Sequence, residues 1–148
     1  MEFDFRLEGA GWAYADIRHD GQHARLTASY LSDALGDLLR AVRDLVAGSP
    51  SARCFWSEEP GEFWWVFENR EGLVTLTIRW FGDQVDEPDD TGDVVFHTTL
   101  SLGELVDAIV DGAEDVLKRH GTEEYESLWI RAPFPEASLS AIRAERAR

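Results

Sequence analysis

A single cysteine, Cys54, stands in 148 residues. That excludes an internal disulfide framework and suits a reducing compartment. Inside an aromatic run the residue reads as a small buried hydrophobe. Long apolar runs are missing as well. No stretch approaches the roughly 20 residues that cross a bilayer, and the opening Met1-Glu2-Phe3-Asp4 lacks the basic and apolar regions of a secretory signal. These absences point to the cytoplasm. Basic residues are scarce, 14 Lys and Arg against 29 Asp and Glu, for a formal net charge of −15. Nucleic acids and anionic membranes are bound mainly through Lys and Arg, so neither is an expected partner. Catalytic signatures are absent too. There is no Gly-x-Ser-x-Gly elbow, no glycine-rich phosphate loop behind a strand and no His/Cys spacing for zinc. The sequence therefore names no catalytic residue, no cofactor and no metal.

What is present is aromatic. Hydrophobic residues make up 44% and aromatic residues 11%, enough to pack a core within one domain over 1–148. Between Arg53 and Phe81 stand Phe55, Trp56, Phe63, Trp64, Trp65, Phe67, Trp80 and Phe81. Glu59-Pro60-Gly61-Glu62 interrupts this run as a turn in which Gly61 takes a positive φ. In the strand that follows, Phe63, Trp65 and Phe67 share one face, with Trp64 and Val66 opposite. A half-buried strand is polar on one side. Apolar residues on both sides imply either a cover, expected from the C-terminal segment, or a binding surface.

Alternation predicts strands at Phe3–Leu7, Trp12–Arg18, Ala24–Tyr30, Val74–Trp80 and Val94–Leu100. Asp20-Gly21 marks a hairpin. Leu35, Leu38, Leu39, Val42, Leu45 and Val46 form a helical stripe behind Ser32 as N-cap. A second helix follows the capping box Ser101-Leu102-Gly103-Glu104 and ends at His120-Gly121. Beyond it, Tyr125, Leu128 and Trp129 suggest a short docked turn, and Ala137 to Arg148 a last helix with Arg143, Arg146 and Arg148 outward. The expected fold is α+β: an antiparallel sheet of about six or seven strands, two main helices on one face, in the order β-β-β-α-β-β-β-β-α plus a short C-terminal helical segment.

Two features point to function. On the second helix Glu104, Asp107, Asp111, Glu114 and Asp115 lie within about 100° of arc. Like charges at i,i+4 weaken a helix, so the stripe suggests a basic protein partner. The loop 82–93, with Asp86, Asp89 and Asp90, extends the same charge. Its carboxylates fit no register of the EF-hand calcium loop, because Pro88 and Thr91 stand where a ligand and the required Gly belong. The alternative is a small-ligand site or hydrolase at the aromatic hairpin, lined by Trp64, Trp65, Trp80 and His97, with Glu58, Glu59 and Glu62 as carboxylates near sugar-stacking rings. A homodimer through the sheet face or edge is a third possibility.

Tyr30-Leu31-Ser32-Asp33-Ala34-Leu35-Gly36-Asp37-Leu38-Leu39, the Glu59-Pro60-Gly61-Glu62 turn, and Trp129 with Pro133-Phe134-Pro135 together resemble a small family of bacterial proteins from high-GC, actinobacterial-type genomes. That resemblance carries no activity and no site residues. In size, acidity and α+β layout the chain is also similar to immunity proteins of bacterial toxin systems.

Overall fold

Alternating apolar residues build seven strands in the computed structural model, which describes residues 1–130 and 132–146. In chain order these are β1 (Glu2–Leu7), β2 (Trp12–His19), β3 (Gln22–Ser29), α1 (Ala34–Val46), β4 (Ser51–Ser57), β5 (Glu62–Arg70), β6 (Leu73–Phe81), β7 (Asp93–Ser101), α2 (Leu102–Trp129) and α3 (Glu136–Arg146). Asp20 and Gly21 both take positive φ, 53° and 80°, closing β2 onto β3 with His19 opposite Gln22. Glu71-Gly72 does the same between β5 and β6.

The single sheet of six or seven strands expected from the pattern is divided. β1-β2-β3 form one antiparallel sheet and β4-β5-β6-β7 another. Width gives the reason. Seven strands about 4.8 Å apart would make a sheet about 29 Å across. Two helices, each about 10 Å wide, leave a third of it open. Turning one sheet onto the other covers both apolar faces. The two faces are unlike and complementary. That of β2 and β3 is rich in alanine, with Ala13, Ala15, Ala24 and Ala28 around Ile17 and Leu26, all buried. That of the larger sheet carries Trp56, Trp65 and Phe67, also buried. Phe3 and Phe5 of β1 join them, Phe3 edge-on to Trp65 at 6.3 Å and Phe5 edge-on to Trp56 at 5.7 Å.

α1 lies along β4 and α2 along β1. The N-cap of α1 is Asp33, whose carboxylate accepts from Gly36 N–H at 3.3 Å. Ser32, expected in that role, instead accepts from Ser57 N–H at 3.0 Å and ties the end of β4 to the segment before α1. Glu104 N–H donates to Ser101 Oγ at 3.1 Å, so the capping box forms as expected. Gly121 (φ 70°, ψ 175°) breaks α2 at the predicted place. Beyond that break Tyr125 and Trp129 are fully buried, with Trp129 against Phe5 at 6.3 Å. The C-terminal segment thus covers the inner aromatics. The partners shown for Trp64 come instead from β4 and β5: Phe55, Arg53 and Glu62. In α3 the described residues end at Arg146, so Arg148 lies outside them.

β7 is an edge of its sheet. Open edges recruit foreign strands. Here the Gln22 carboxamide donates to His97 O at 2.6 Å and accepts from His97 N–H at 3.3 Å, so one side chain occupies both backbone groups of an edge residue.

Phe5 touches Trp56 and Trp129 from opposite elements. Phe5→Ala is expected to cost about 3–5 kcal/mol, read as a lowered urea midpoint. A cost below 1 kcal/mol would mean that the two sheets do not depend on this contact.

Candidate functional site

A surface cleft is built where the β4–β5 turn meets the loop after β6. Gly61 takes φ 93°, as its place in the turn requires, and the Glu59–Pro60 bond is cis. Glu58 N–H donates to Gly61 O at 2.9 Å and closes the turn. Ser57, Glu58, Glu59, Pro60 and Gly61 then form one wall of a cleft of about 410 Å³; Leu31, Gly82, Asp83 and Gln84 complete it. Trp80 underlies it. A Cβ at Gly61 would stand 3.1 Å from the Trp80 indole nitrogen, and one at Gly82 would stand 3.6 Å from its ring.

Two of the three turn glutamates are held from inside. Glu58 accepts from Trp80 Nε1 at 3.0 Å and from the Thr27 hydroxyl. Glu62, only 3% exposed, accepts from the Trp64 indole N–H and from Val85 N–H at 3.5 Å. Carboxylates engaged with indole donors in this way position the turn and the loop. They are not left as an acid and a base facing each other across a bond. Glu59 and Asp83 remain exposed on the cleft rim.

The rest of the loop folds back over the sheet. Arg79 donates to Gly92 O at 2.8 Å and Asp90 O at 3.5 Å, and Arg53 pairs with Glu87 at 3.5 Å. Gly92 sits against Phe81, where a Cβ would come within 2.5 Å of the ring. Asp89 caps a local turn by accepting from Thr91 N–H at 2.9 Å and from its hydroxyl, which holds its carboxyl below the usual range. Asp86 and Asp90 point no carboxylate at a described partner, and both are exposed. Among the described residues no three His, Cys, Asp or Glu side chains are placed to hold a metal ion.

The α2 stripe is in a different state. α3 lays its arginines on it: Arg143 pairs with Glu114 at 2.9 Å and Arg146 with Asp107 at 3.3 Å. Asp115 pairs with Arg119, and Glu104 lies 3.6 Å from His19 Nε2. Asp111 alone of the five has no partner among the described residues. The stripe is largely neutralised within the chain. It also starts at the far end of β7 from the loop, and nine strand residues span about 30 Å. The two acidic features that the sequence suggests as one surface are separate.

The aromatic alternative also comes apart. Trp65 is fully buried between the sheets, so it lines no ligand site, which corrects that expectation. Trp64 points to the other face, its ring tilted 35° against Phe55 at 5.1 Å with the Arg53 guanidinium 5.8 Å from it. It borders a groove of about 310 Å³ between α1 and β4 that includes Arg40, Asp44 and Cys54. Cys54 is buried there, and that burial pushes its thiol well above the ordinary value, so it stays protonated. His97 is exposed on the edge strand, bonded to the Thr77 hydroxyl at 2.9 Å and two strands away from Trp64. No common site joins these four residues. His19, which the sequence suggests is an ordinary turn residue, proves structural. Its Nδ1 lies 2.7 Å from Thr98 Oγ1, linking the hairpin of the small sheet to β7.

Asp16 and Arg25 form the other prominent polar cluster, directly opposite each other on β2 and β3. Arg25 donates from Nε at 2.9 Å and from Nη2 at 2.8 Å, and His23 Nε2 adds a contact at 3.1 Å. The guanidinium also rests 4.4 Å over the Tyr14 ring. This is a cross-strand tie on the solvent face, with every acceptor in use.

No family model, no curated protein and no solved structure matches the chain. The reading of its surfaces accordingly rests on their own chemistry.

The Arg25 hydrogen bonds hold the Asp16 carboxyl at about 2, against burial, which acts in the opposite direction. A depressed carboxyl contributes stability above its unfolded value of 3.8 and loses it as pH falls toward about 2. Asp16→Asn is expected to cost about 1–2 kcal/mol at neutral pH, allowing for screening around the half-exposed Arg25. The difference from wild type should vanish near pH 2. Urea midpoints across that range check it, and a cost that does not change with pH would refute the assignment.

Proposed function

We propose that the chain is a non-catalytic interaction module of the cytoplasm, immunity-like in kind, that docks a basic protein on the acidic end of its four-stranded sheet. One observation carries this reading. The turn contributes three carboxylates (Glu58, Glu59, Glu62) and the loop five (Asp83, Asp86, Glu87, Asp89, Asp90), and the two arginines beside them, Arg53 and Arg79, are spent on Glu87 and on loop carbonyls. Fixed charge of one sign around a cleft attracts an oppositely charged partner and speeds its encounter. The α2 stripe, paired by α3, adds to the long-range field and lies outside the footprint. The cytoplasmic setting is supported by Cys54, a free and buried thiol. A second copy of the chain is a poor occupant, since each would bring a net charge of −15.

Nonaarginine serves as the probe, followed by fluorescence anisotropy over a salt series. Replacing Asp83, Asp86 and Asp90 together by Lys is expected to weaken binding about tenfold, or about 1.4 kcal/mol, and to flatten the salt dependence. Replacing Glu104, Asp107 and Asp111 by Lys is expected to change binding less than threefold. Equal effects from the two sets would leave only diffuse charge attraction, and a larger effect from the helix set would move the site to α2.

A further inference from the structure

Large apolar side chains are exposed at few places among the described residues, and three of them stand on segments that meet at Gly11, one of which, Leu31, lines the cleft. Trp12 is 37% exposed, Leu31 44% and Ile130 57%. They come from the start of β2, the end of β3 and the end of α2, segments pinned together at Gly11. The Gly11 N–H donates to Leu128 O at 2.7 Å, and its carbonyl accepts from Tyr30 N–H at 2.9 Å. A Cβ at Gly11 would stand 2.9 Å from the Tyr30 ring and 3.4 Å from Ile130 Cδ1, so only glycine permits the approach; its φ is 80°.

Ile130 is the unusual member. Its φ of 77° and ψ of −50° are conformations that a β-branched side chain rarely adopts. The backbone is held there by Ile130 N–H donating to Glu126 O at 3.0 Å. The Ile130 side chain reaches Gly11 yet stays 57% exposed, and backbone outliers of this kind gather at functional sites. Leu31 connects this ridge to the acidic cleft, because the same side chain lines the cleft wall beside Glu58 and Asp83.

Resting on the proposed function, we infer that Trp12, Leu31 and Ile130 form the apolar half of the docking site, which takes a basic segment bearing a large apolar side chain beside its Lys or Arg. The cationic group meets the rim carboxylates Glu59 and Asp83, and the apolar side chain covers Leu31 and Ile130. Charge selects this occupant. A second copy or an anionic lipid surface would bring negative charge to Glu59 and Asp83, and an uncharged apolar ligand would leave the rim unused. Apolar anchors of this kind supply affinity, while the surrounding charge supplies rate and orientation.

Two fluorescein-labelled octapeptides of equal charge test this, one alternating Arg with Leu and one alternating Arg with Ser. The intact chain is compared with Leu31→Ser and Ile130→Asn. Asn accepts positive φ more readily than Ile, so the second variant should keep or raise the thermal midpoint while losing the contact. The Arg-Leu peptide is expected to bind at least tenfold tighter than the Arg-Ser peptide. Each variant should erase most of that gap and leave Arg-Ser binding within twofold. If both peptides bind equally, or the variants do not narrow the gap, the apolar half is wrong and the charge-based reading survives. If neither peptide binds, both readings fail. If the peptide-free chain sediments as a dimer that Leu31→Ser dissociates, a second copy owns the ridge and the inference is overturned.

Discussion

Everything in this molecule depends on how the alanine-rich face of the smaller sheet receives the aromatic face of the larger one. The alanines of β2 and β3 let the smaller sheet approach, and Trp56, Trp65 and Phe67 fill the space between. Phe5 joins this packing to the C-terminal part of α2 through Trp129, and Tyr125 and Phe134 extend it at 5.4 Å. Close packing at this density gives dispersion and hydrophobic terms that no single hydrogen bond matches. The arrangement has a cost. The indole nitrogens of Trp56, Trp65 and Trp129 and the Tyr125 hydroxyl are buried without a hydrogen-bond partner among the described residues, and each such group costs about 1–3 kcal/mol. Edge-to-face ring contacts and the large apolar areas of these side chains offset part of that. Burial also pushes the Tyr125 phenol far up, so it stays neutral in the core.

The polar contacts serve this packing by fixing how the sheets meet. Gln22 and His19 attach the β2–β3 hairpin to β7, and Ser32 attaches the opposite end of β3 to β4. Held at both ends, β3 crosses between the two edge strands of the larger sheet, and the cleft opens where its end meets the β4–β5 turn. The acidic rim is thus a consequence of the sheet arrangement. Thr27 and Trp80 grip Glu58 from two sheets, and this grip orients the turn that carries Glu59 outward.

Charge distribution follows the same logic. α3 is basic on one side and lies on the acidic side of α2, so a stripe that looks like a partner site in the sequence is spent within the chain. The loop after β6 has no helix laid over it. Arg79 of β6 and Arg53 of β4 hold it back against the sheet, which leaves Asp83, Asp86 and Asp90 facing water. Unpaired carboxylates therefore remain on the loop beside the cleft, and Leu31 is exposed in the cleft wall.

The strands, the Asp20-Gly21 hairpin, the turn at Pro60-Gly61, the α1 stripe, the capping box at Ser101 and the break at Gly121 were all legible in the sequence. Each depends on local rules: side-chain period, turn chemistry, or a hydroxyl three residues from an amide. The division into two sheets was not legible, because alternation marks an apolar face without naming what covers it. Nor was the fate of Trp64 and Trp65. They are neighbours in a strand, but one enters the core and the other lies beneath Phe55 and Arg53. Arg143 and Arg146 were expected to face outward, yet their pairing with Glu114 and Asp107, 29 and 39 positions away, depends on where α3 lands. Ile130 carried no signal at all, since its exposure and its strained backbone come from the junction with Gly11. Local periodicity is a property of consecutive residues. Which surfaces meet, and which charges survive the meeting, is settled only when distant segments compete for the same cover.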